Sequence, residues 1–302
     1  MAHALERRPE RYVRSGAHSR SMHRAFTEMV TLIVMLLCCG CEMPAQHATA
    51  LLPDVHGPID DAGDTSVVLR FSPPPGFSRR PVPEQSFEDY LRKLPLKPHG
   101  SPVLLYDGKP KSRQDVHAAV IDMSVGNKDL QQCADAVMRL RSEFLFAGGR
   151  QDEIAFHFTS GFKSEWARWR KGGRIAVRGN TCHWSSGAEP DASHAQFMRY
   201  LEMVFTYAGT RSLQRELDPV AKDLNTTEPH IGDVYIQGGS PGHAVMVVDV
   251  AHDKDGRIAF LIAQSYMPAQ EIHVLKNLRH PELGAWFLFE HDAALYTPEW
   301  TF

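Results

Sequence analysis

The sequence predicts an α+β fold: a buried helix packed on a mainly antiparallel sheet, with an inserted helical region. Between positions 133 and 144, apolar residues recur every three or four positions, which is the spacing of one buried helix face. The stretch 244–250, AVMVVDV, is almost entirely apolar, as in a central strand that is buried on both faces. The turn 252–256, HDKDG, then returns the chain into a second β-like run, so these two strands are predicted to pair antiparallel.

The remaining elements follow from local patterns. Ser86 is a capping residue before a helical run, and Asp129 with Gln132 three residues later predicts the start of the buried helix. The predicted strands are 66–71, 101–108, 116–123, 153–159 and 174–179, and the predicted helices are 86–94, 129–146, 164–174, 191–209 and 210–220. The inserted region corresponds to residues 166–217.

Composition and charge limit the class of protein. The chain has 302 residues, of which 43% are hydrophobic and 23% are charged, and this is typical of globular domains. The net charge of −3 and the lack of a long Lys/Arg run argue against a nucleic-acid partner. No internal repeat stands out. We therefore expect a single globular domain over residues 65–302.

The N-terminal region predicts export. Residues 30–37, VTLIVMLL, form an apolar run about half as long as a membrane-spanning helix needs, which fits a secretory signal. The following LCCGC resembles a bacterial lipobox with Cys41 as the lipid acceptor, and Cys39 is an alternative acceptor. The resemblance implies a lipoprotein-type signal peptide at 1–40 that is cleaved before Cys41. A plain signal peptide or an N-terminal anchor helix is the alternative.

The segment between lipid and domain predicts where the protein resides. Residues 41–64 are polar and contain proline, which indicates a tether. Glu42 after the acceptor resembles the pattern of outer-membrane sorting. We expect an exported protein that is lipid-anchored to the envelope, on the outer membrane facing the periplasm, with the membrane as its partner through the anchor. Translation starting at Met22 instead of Met1 would shorten the signal.

Two of the five cysteines, Cys133 and Cys182, remain after signal cleavage and lipidation. Cys133 lies in the first turn of the buried helix, where the helix dipole and the unpaired N–H groups favour a thiolate. It is a candidate nucleophile, expected to be alkylated well below the free-thiol pKa of about 8.5. The alternatives are a cysteine that only packs and a disulfide with Cys182, which is itself interpreted as structural or disulfide-forming. We expect Cys133 to be free.

His243 is the candidate base. It opens the apolar strand, and a turn centred near residues 254–255 places it beside Gln264 or Ser265 on the returning strand. A polar neighbour there would fix the imidazole tautomer so that the free nitrogen faces a thiol. Asp249 is rejected for this role because it lies six residues along the same strand, about 20 Å away.

Other side chains near these positions have candidate supporting roles. Gln131 or Gln132 could donate to an oxyanion together with the N–H of Cys133, although Gln132 could instead cap the helix. Ser265 is a second candidate support for His243. The sequence has no HExxH motif and no Cys/His metal spacing, so we expect no metal and no cofactor.

Short motifs resemble known thiol enzymes. A cysteine that starts a buried helix, GDV at 232–234 and GH at 242–243 resemble papain-like amidases and peptidases, especially CHAP and NlpC-type cell-wall hydrolases. CADA at 133–136 resembles the Cys-x-Asp of transglutaminase-like proteins. Over nearly the whole mature chain, stretches such as YLRKLPLKP and IQGGSPGHAVMVVDVA resemble an uncharacterised family of bacterial lipoproteins with a domain of unknown function.

The site and these resemblances together predict a thiol-dependent amide hydrolase or transferase that acts on cell-wall or protein amides. Cys133 would attack the carbonyl, His243 would take and return the proton, and Gln264 would orient His243. Peptidoglycan or a peptide would be the substrate. The alternative is a non-catalytic envelope lipoprotein that uses the same fold as a binding module.

Overall fold

The computed structural model of the chain describes residues 11–14, 65–219, 227–291 and 294–302. The predicted lipid acceptor Cys41, its alternative Cys39, the alternative start Met22 and the tether 41–64 lie outside the described residues. Within the described part, no helix combines the length and the apolar character that crossing a membrane requires.

The secondary structure mixes short helices with many strands. The helices are α1 (Val67–Arg70), α2 (Phe87–Arg92), α3 (Cys133–Ala147), α4 (Trp166–Trp169), α5 (His194–Tyr207) and α6 (Thr210–Glu216). The strands are β1 (Arg11–Arg14), β2 (Phe77–Arg79), β3 (His117–Val120), β4 (Ala155–His157), β5 (Lys163–Glu165), β6 (Arg174–Arg178), β7 (Thr181–Ser185), β8 (Asp218–Pro219), β9 (Val234–Gln237), β10 (His243–Asp253), β11 (Ile258–Gln264), β12 (His273–Leu275) and β13 (Phe287–Leu288). Short 3-10 helices cover Gln151–Glu153 and Pro281–Leu283.

One mixed sheet dominates the molecule. Its strands follow the spatial order β3-β12-β11-β10-β9-β1-β8, while β2 pairs with β10 and β13 pairs with β11. The pairs are antiparallel except that β1 runs parallel to both β8 and β9. Two separate hairpins, β4–β5 and β6–β7, complete the strands. The predicted α+β class with a mainly antiparallel sheet is confirmed.

Strand β1 lies inside the range 1–40 that the sequence predicts to be a signal peptide. The sequence predicts no element of the domain before residue 65, whereas the structure pairs Arg11–Arg14 with Val234–Gln237. A chain cleaved before Cys41 would lack this strand and would leave that side of β9 unpaired. Cleavage itself stays a prediction.

Helix α3 packs on one face of the sheet, as its apolar stripe predicts. Val137, Leu140 and Phe144 are buried and belong to one hydrophobic core with Met246 of β10 and Leu261 of β11. The helix therefore rests on the two central strands.

The opposite face of the sheet carries a second hydrophobic core. Val245 and Val247 of β10 meet Phe260 and the C-terminal Phe302 there. Because side chains alternate along a strand, His243 projects to the same face as Val245 and Val247. This core thus surrounds the candidate base.

The start of α3 differs from its prediction. The helix begins at Cys133 with Gln132 as its N-cap residue, and Asp129 is not the cap. The Asp129 carboxylate instead accepts hydrogen bonds from the Ala269 N–H at 2.7 Å and from Gln132 Nε2 at 3.2 Å. A distant loop therefore takes up the side chain that local pattern assigned to the cap, and Cys133 becomes the first helical residue.

Two predicted strands are wrong. Residues 66–71 are predicted to be extended, but Val67–Arg70 form α1. In it the Arg70 N–H bonds the Ser66 carbonyl, and the Val67 N–H bonds the Leu94 carbonyl just after α2. Residues 101–108 form isolated bridges instead of a strand, because a turn closed by the bond from Leu105 N–H to Lys109 O reverses the chain early. A long-range contact in the first stretch and a local turn in the second overrode their β-branched and apolar composition.

The inserted region 166–217 is only partly helical. It contains α4, α5 and α6, and also the β6–β7 hairpin. Trp166 and Trp169 are buried in the main core, while Trp184 on β7 is half-buried.

Candidate active site

His243 and Gln264 form a side-chain pair across two central strands. β10 and β11 are antiparallel, with Met246 level with Ala263, so the two side chains meet diagonally at the strand ends. His243 Nε2 lies 2.8 Å from Gln264 Oε1. The predicted neighbourhood of His243 and Gln264 is confirmed. A carbonyl oxygen only accepts, so Nε2 carries the proton, and Nδ1 is left as the basic nitrogen of the neutral ring.

Cys133 reaches the same end of β10 from the helix. The backbone N–H groups of Ala244, the residue after His243, and of Ala134 in its own helix lie near the sulfur and act to lower the pKa of the thiol. Cys133 and Cys182 are both free thiols, so the alternative of a Cys133–Cys182 disulfide is excluded in this structure. The sulfur therefore lies near the backbone that follows His243, while its contact with the imidazole ring and the catalytic roles of both residues stay predictions.

Burial controls the protonation of the thiol and the imidazole. Cys133 is only 7% exposed, and its pKa is raised to about 11, first by burial and then by the nearby Asp135 carboxyl. The pKa of His243 is lowered to about 4, mainly because burial disfavours the imidazolium. The N–H groups at the sulfur favour a thiolate, as the sequence predicted, but burial outweighs them. A neutral thiol and a neutral imidazole are therefore the resting state, in contrast to the expected reactive thiolate.

Aromatic rings cover the imidazole. The ring of Tyr266 lies 4.8 Å from that of His243, and the rings of Trp300 and Phe302 lie 5.3 Å and 5.7 Å away. His243 is consequently 1% exposed. These rings would have to move before a substrate could contact the imidazole.

The three candidate supporting residues, Gln131, Gln132 and Ser265, differ in their hydrogen-bond partners. Gln131 is buried and its Nε2 has no hydrogen-bond partner, so its donor is free. Gln132 Nε2 is engaged by Asp129, and its backbone N–H donates to Asp135 Oδ2 at 3.0 Å, which makes it a helix cap. Ser265 Oγ lies 3.0 Å from the Gln131 carbonyl and ties the end of β11 to the segment before α3.

Several polar groups at the site were missed from the sequence. Gln264 Nε2 donates to Glu299 Oε2 at 2.7 Å and lies 3.4 Å from His273 Nε2, and Lys111 Nζ lies 2.6 Å from Glu299 Oε2. Glu299 lies in a bend and Lys111 in a loop outside any helix or strand, where local pattern gives no signal of burial. His273 is the fully buried first residue of β12, but its neighbours are apolar and indicate only a buried strand.

Asp135 was also missed, although the CADA motif contains it. It is 5% exposed, its Oδ1 has no hydrogen-bond partner, and burial raises its pKa to about 8. A carboxyl in the first turn of a helix usually signals capping, and Asp135 indeed accepts from the N–H of Gln132. Among the described residues, no three His, Cys, Asp or Glu side chains gather in a way that could hold a metal ion.

Comparison with known proteins identifies the family. The model of a family described as a domain of unknown function (4846) matches residues 67–302. The chain belongs to this family. No curated protein and no solved structure matches the chain.

Proposed function

We propose that this protein is a thiol-dependent hydrolase or transferase of amide bonds, acting on peptidoglycan or peptides in the cell envelope. The observation that carries the proposal is the His243–Gln264 pair at 2.8 Å at the end of β10, where the N–H of the residue after His243 lies near the Cys133 sulfur. Such a pair supplies what a cysteine nucleophile needs, namely a base held in one tautomer and a sulfur on a rigid helix terminus.

The proposed reaction begins with a neutral Cys133 thiol and a neutral His243 imidazole. Because the pKa of Cys133 lies far above that of His243, the proton leaves the sulfur only as the sulfur attacks. Cys133 Sγ bonds to the carbonyl carbon while His243 Nδ1 takes the thiol proton. The proton then passes to the amide nitrogen, the C–N bond breaks, and a thioester remains on Cys133.

The second half of the reaction releases the acyl group. Water, or an amine in a transferase, attacks the thioester carbon and gives a proton to His243 Nδ1. The C–S bond breaks and the proton returns to the sulfur. The N–H of Cys133 and the free Nε2 of Gln131 are the candidate donors to the carbonyl oxygen, since Gln132 is engaged elsewhere.

A second candidate function has an observation in its favour. The 7% exposure of Cys133 and the upward shift of its pKa are typical of a cysteine that packs. We therefore keep the alternative of a non-catalytic envelope protein that binds cell-wall material or a peptide with this fold.

Release of amino groups tests the enzymatic proposal. The purified full-length chain is incubated with peptidoglycan sacculi and, separately, with a casein digest, and new free amines are measured. We expect amine release by the wild type, none by Cys133→Ala, and an unchanged rate for Cys182→Ala, which is the matched control on the half-buried second thiol.

The outcome separates the two candidates. Equal rates for wild type and Cys133→Ala would remove Cys133 as the nucleophile. A folded wild type without activity that co-sediments with sacculi would support the binding module instead.

A further inference from the structure

The amide of Gln264 is held between two acceptors and one donor. Its Nε2 donates to Glu299 Oε2 at 2.7 Å and lies 3.4 Å from His273 Nε2, while its Oε1 accepts from His243 at 2.8 Å. His273 Nδ1 lies 2.8 Å from the Glu271 carbonyl, an acceptor, so the proton of His273 sits on Nδ1 and its Nε2 is an acceptor too. Both amide hydrogens of Gln264 thus face acceptors, and its oxygen must face His243.

Glu299 is the stronger of the two acceptors. Its bond is short and charge-assisted, whereas the contact with His273 is long and between neutral groups. Reversing the Gln264 amide would direct its oxygen at a carboxylate oxygen and its NH2 at a protonated His243 Nε2. The carboxylate therefore selects one of two amide orientations that would otherwise be close in energy.

Lys111 keeps the carboxylate charged in a buried position. Its Nζ lies 2.6 Å from Glu299 Oε2, and the two side chains are 5% and 10% exposed. An unpaired carboxylate at such a depth would be costly, so the ion pair is the condition for a charged acceptor behind Gln264.

The C-terminal hairpin, residues 295–302, positions Glu299 beside the amide of Gln264. Leu295 and Phe302 exchange two backbone hydrogen bonds, and Thr297 N–H bonds the Trp300 carbonyl, so Pro298 and Glu299 occupy the turn. Arg113 holds the turn from outside by donating to the Pro298 carbonyl at 2.9 Å. The turn reaches the polar side of Gln264 while Trp300 and Phe302 rest against His243.

We propose that Glu299, charged through its pairing with Lys111, is a positioning residue for His243: it orients Gln264 and thereby fixes the proton of His243 on Nε2 and leaves Nδ1 basic. The relay runs Lys111–Glu299–Gln264–His243 and ends at the nitrogen that the proposed chemistry requires. The catalytic significance rests on the proposed function, but the tautomer is a property of the folded chain and is measured without substrate.

The test is the tautomer of His243, read from the ¹⁵N chemical shifts of its ring by NMR in the full-length chain at neutral pH. His243→Gln assigns the signals. In the wild type we expect a protonated-type shift at Nε2 and an unprotonated-type shift at Nδ1. Glu299→Ala alone would leave Lys111 buried and unpaired and could unfold the chain, so the pair is replaced in two charge-balanced double variants.

Lys111→Met with Glu299→Met removes the acceptor and the charge at similar volume, a replacement that buried ion pairs commonly tolerate. We expect the two ring nitrogens to lose their distinct shifts and to show an averaged pair. Lys111→Met with Glu299→Gln places a neutral amide there, which can turn either its oxygen or its NH2 to Gln264, so we expect the distinct shifts to be lost in this variant too. Arg113→Ala, the matched control, loosens the same turn without touching Glu299 and should leave the tautomer unchanged.

Two results would overturn the proposal: wild-type shifts in the methionine double variant, or wild-type shifts in the glutamine double variant, which would show that no charge at position 299 is needed. A loss of the tautomer in His273→Leu with none in the methionine variant would assign the orientation to His273 instead, which also contradicts it. Inactivity of the wild type toward amides would refute the proposed function and leave these tautomer results standing.

Discussion

At Cys133 two physical influences oppose each other. The helix terminus and the N–H groups of Ala244 and Ala134 favour the thiolate, while removal from water and the Asp135 carboxyl favour the thiol. Burial is the larger influence, so the pKa rises to about 11. A helix N-terminus alone therefore does not make a cysteine reactive; the degree of burial decides.

The pH dependence of alkylation follows from this balance. With a pKa of about 11, the thiolate fraction of Cys133 rises about tenfold per pH unit up to that value. We expect the iodoacetamide rate at Cys133 in the native chain to keep rising beyond pH 9 without a plateau, measured by mass spectrometry of labelled peptides. Because His243 is neutral above about pH 4, His243→Ala should not raise the thiol pKa further.

Cys182 is the internal control for this measurement, because it is half-buried and free. It should be labelled before Cys133 at pH 7 in the native chain, and both should be labelled readily in urea. A plateau for Cys133 below pH 8 that His243→Ala abolishes would contradict the neutral pair and would restore the reactive thiolate expected from the sequence.

Among the elements, β10 carries a buried carboxylate, Asp249, that joins it to a helix and to another strand. At a register irregularity between Val247 and Asp249, the carboxylate of Asp249 turns to two arginines. Its oxygens lie 2.7 Å from Arg92 of α2 and 2.5 Å from Arg79 of β2. The residue that distance excluded as a partner of His243 thus fastens one helix and one strand to β10.

Replacing Asp249 by alanine should therefore destabilise the fold strongly. Asp249 is fully buried, and its loss leaves the Arg92 and Arg79 guanidinium groups without their counter-ion. We expect a loss of about 3–5 kcal/mol in the free energy of unfolding, measured by urea denaturation. Asp255→Ala, in the exposed turn after β10, should change it by less than about 0.5 kcal/mol. A cost below about 1 kcal/mol for Asp249→Ala would contradict the anchoring role.

Local patterns predicted what depends on local chemistry. The pairing of His243 with Gln264 was accessible from the sequence because a short turn sets the register of β10 and β11. The first residue of α3 could not be predicted from the sequence, because the Asp129 carboxylate accepts a hydrogen bond from the N–H of Ala269, far along the chain, and does not cap the helix. Glu299 could not be found either, since its partners Gln264 and Lys111 are 35 and 188 residues away in sequence.

At the scale of the whole molecule, the N-terminus has two descriptions that differ. The sequence predicts that residues 1–40 are removed, whereas the full-length structure uses Arg11–Arg14 as a parallel strand beside β9. The mass of the mature chain distinguishes them, because a lipoprotein begins at Cys41 and cannot contain β1.

We expect Cys41 to carry the lipid, because LCCGC follows an apolar run of signal length. In cells fed a clickable fatty acid, the wild-type chain should take up the label and sediment with membranes, since each buried CH₂ of a lipid chain contributes about 0.8 kcal/mol to membrane binding. Cys41→Ser should lose the label and leave the membrane fraction, whereas Cys39→Ser, the matched control in the same motif, should keep both. Label and membrane association that persist in Cys41→Ser but vanish in Cys39→Ser would move the acceptor to Cys39. If both variants keep the label and the membrane association, the protein is not anchored through this motif. A mature chain that still contains residues 11–14 would show that strand β1 belongs to the mature domain.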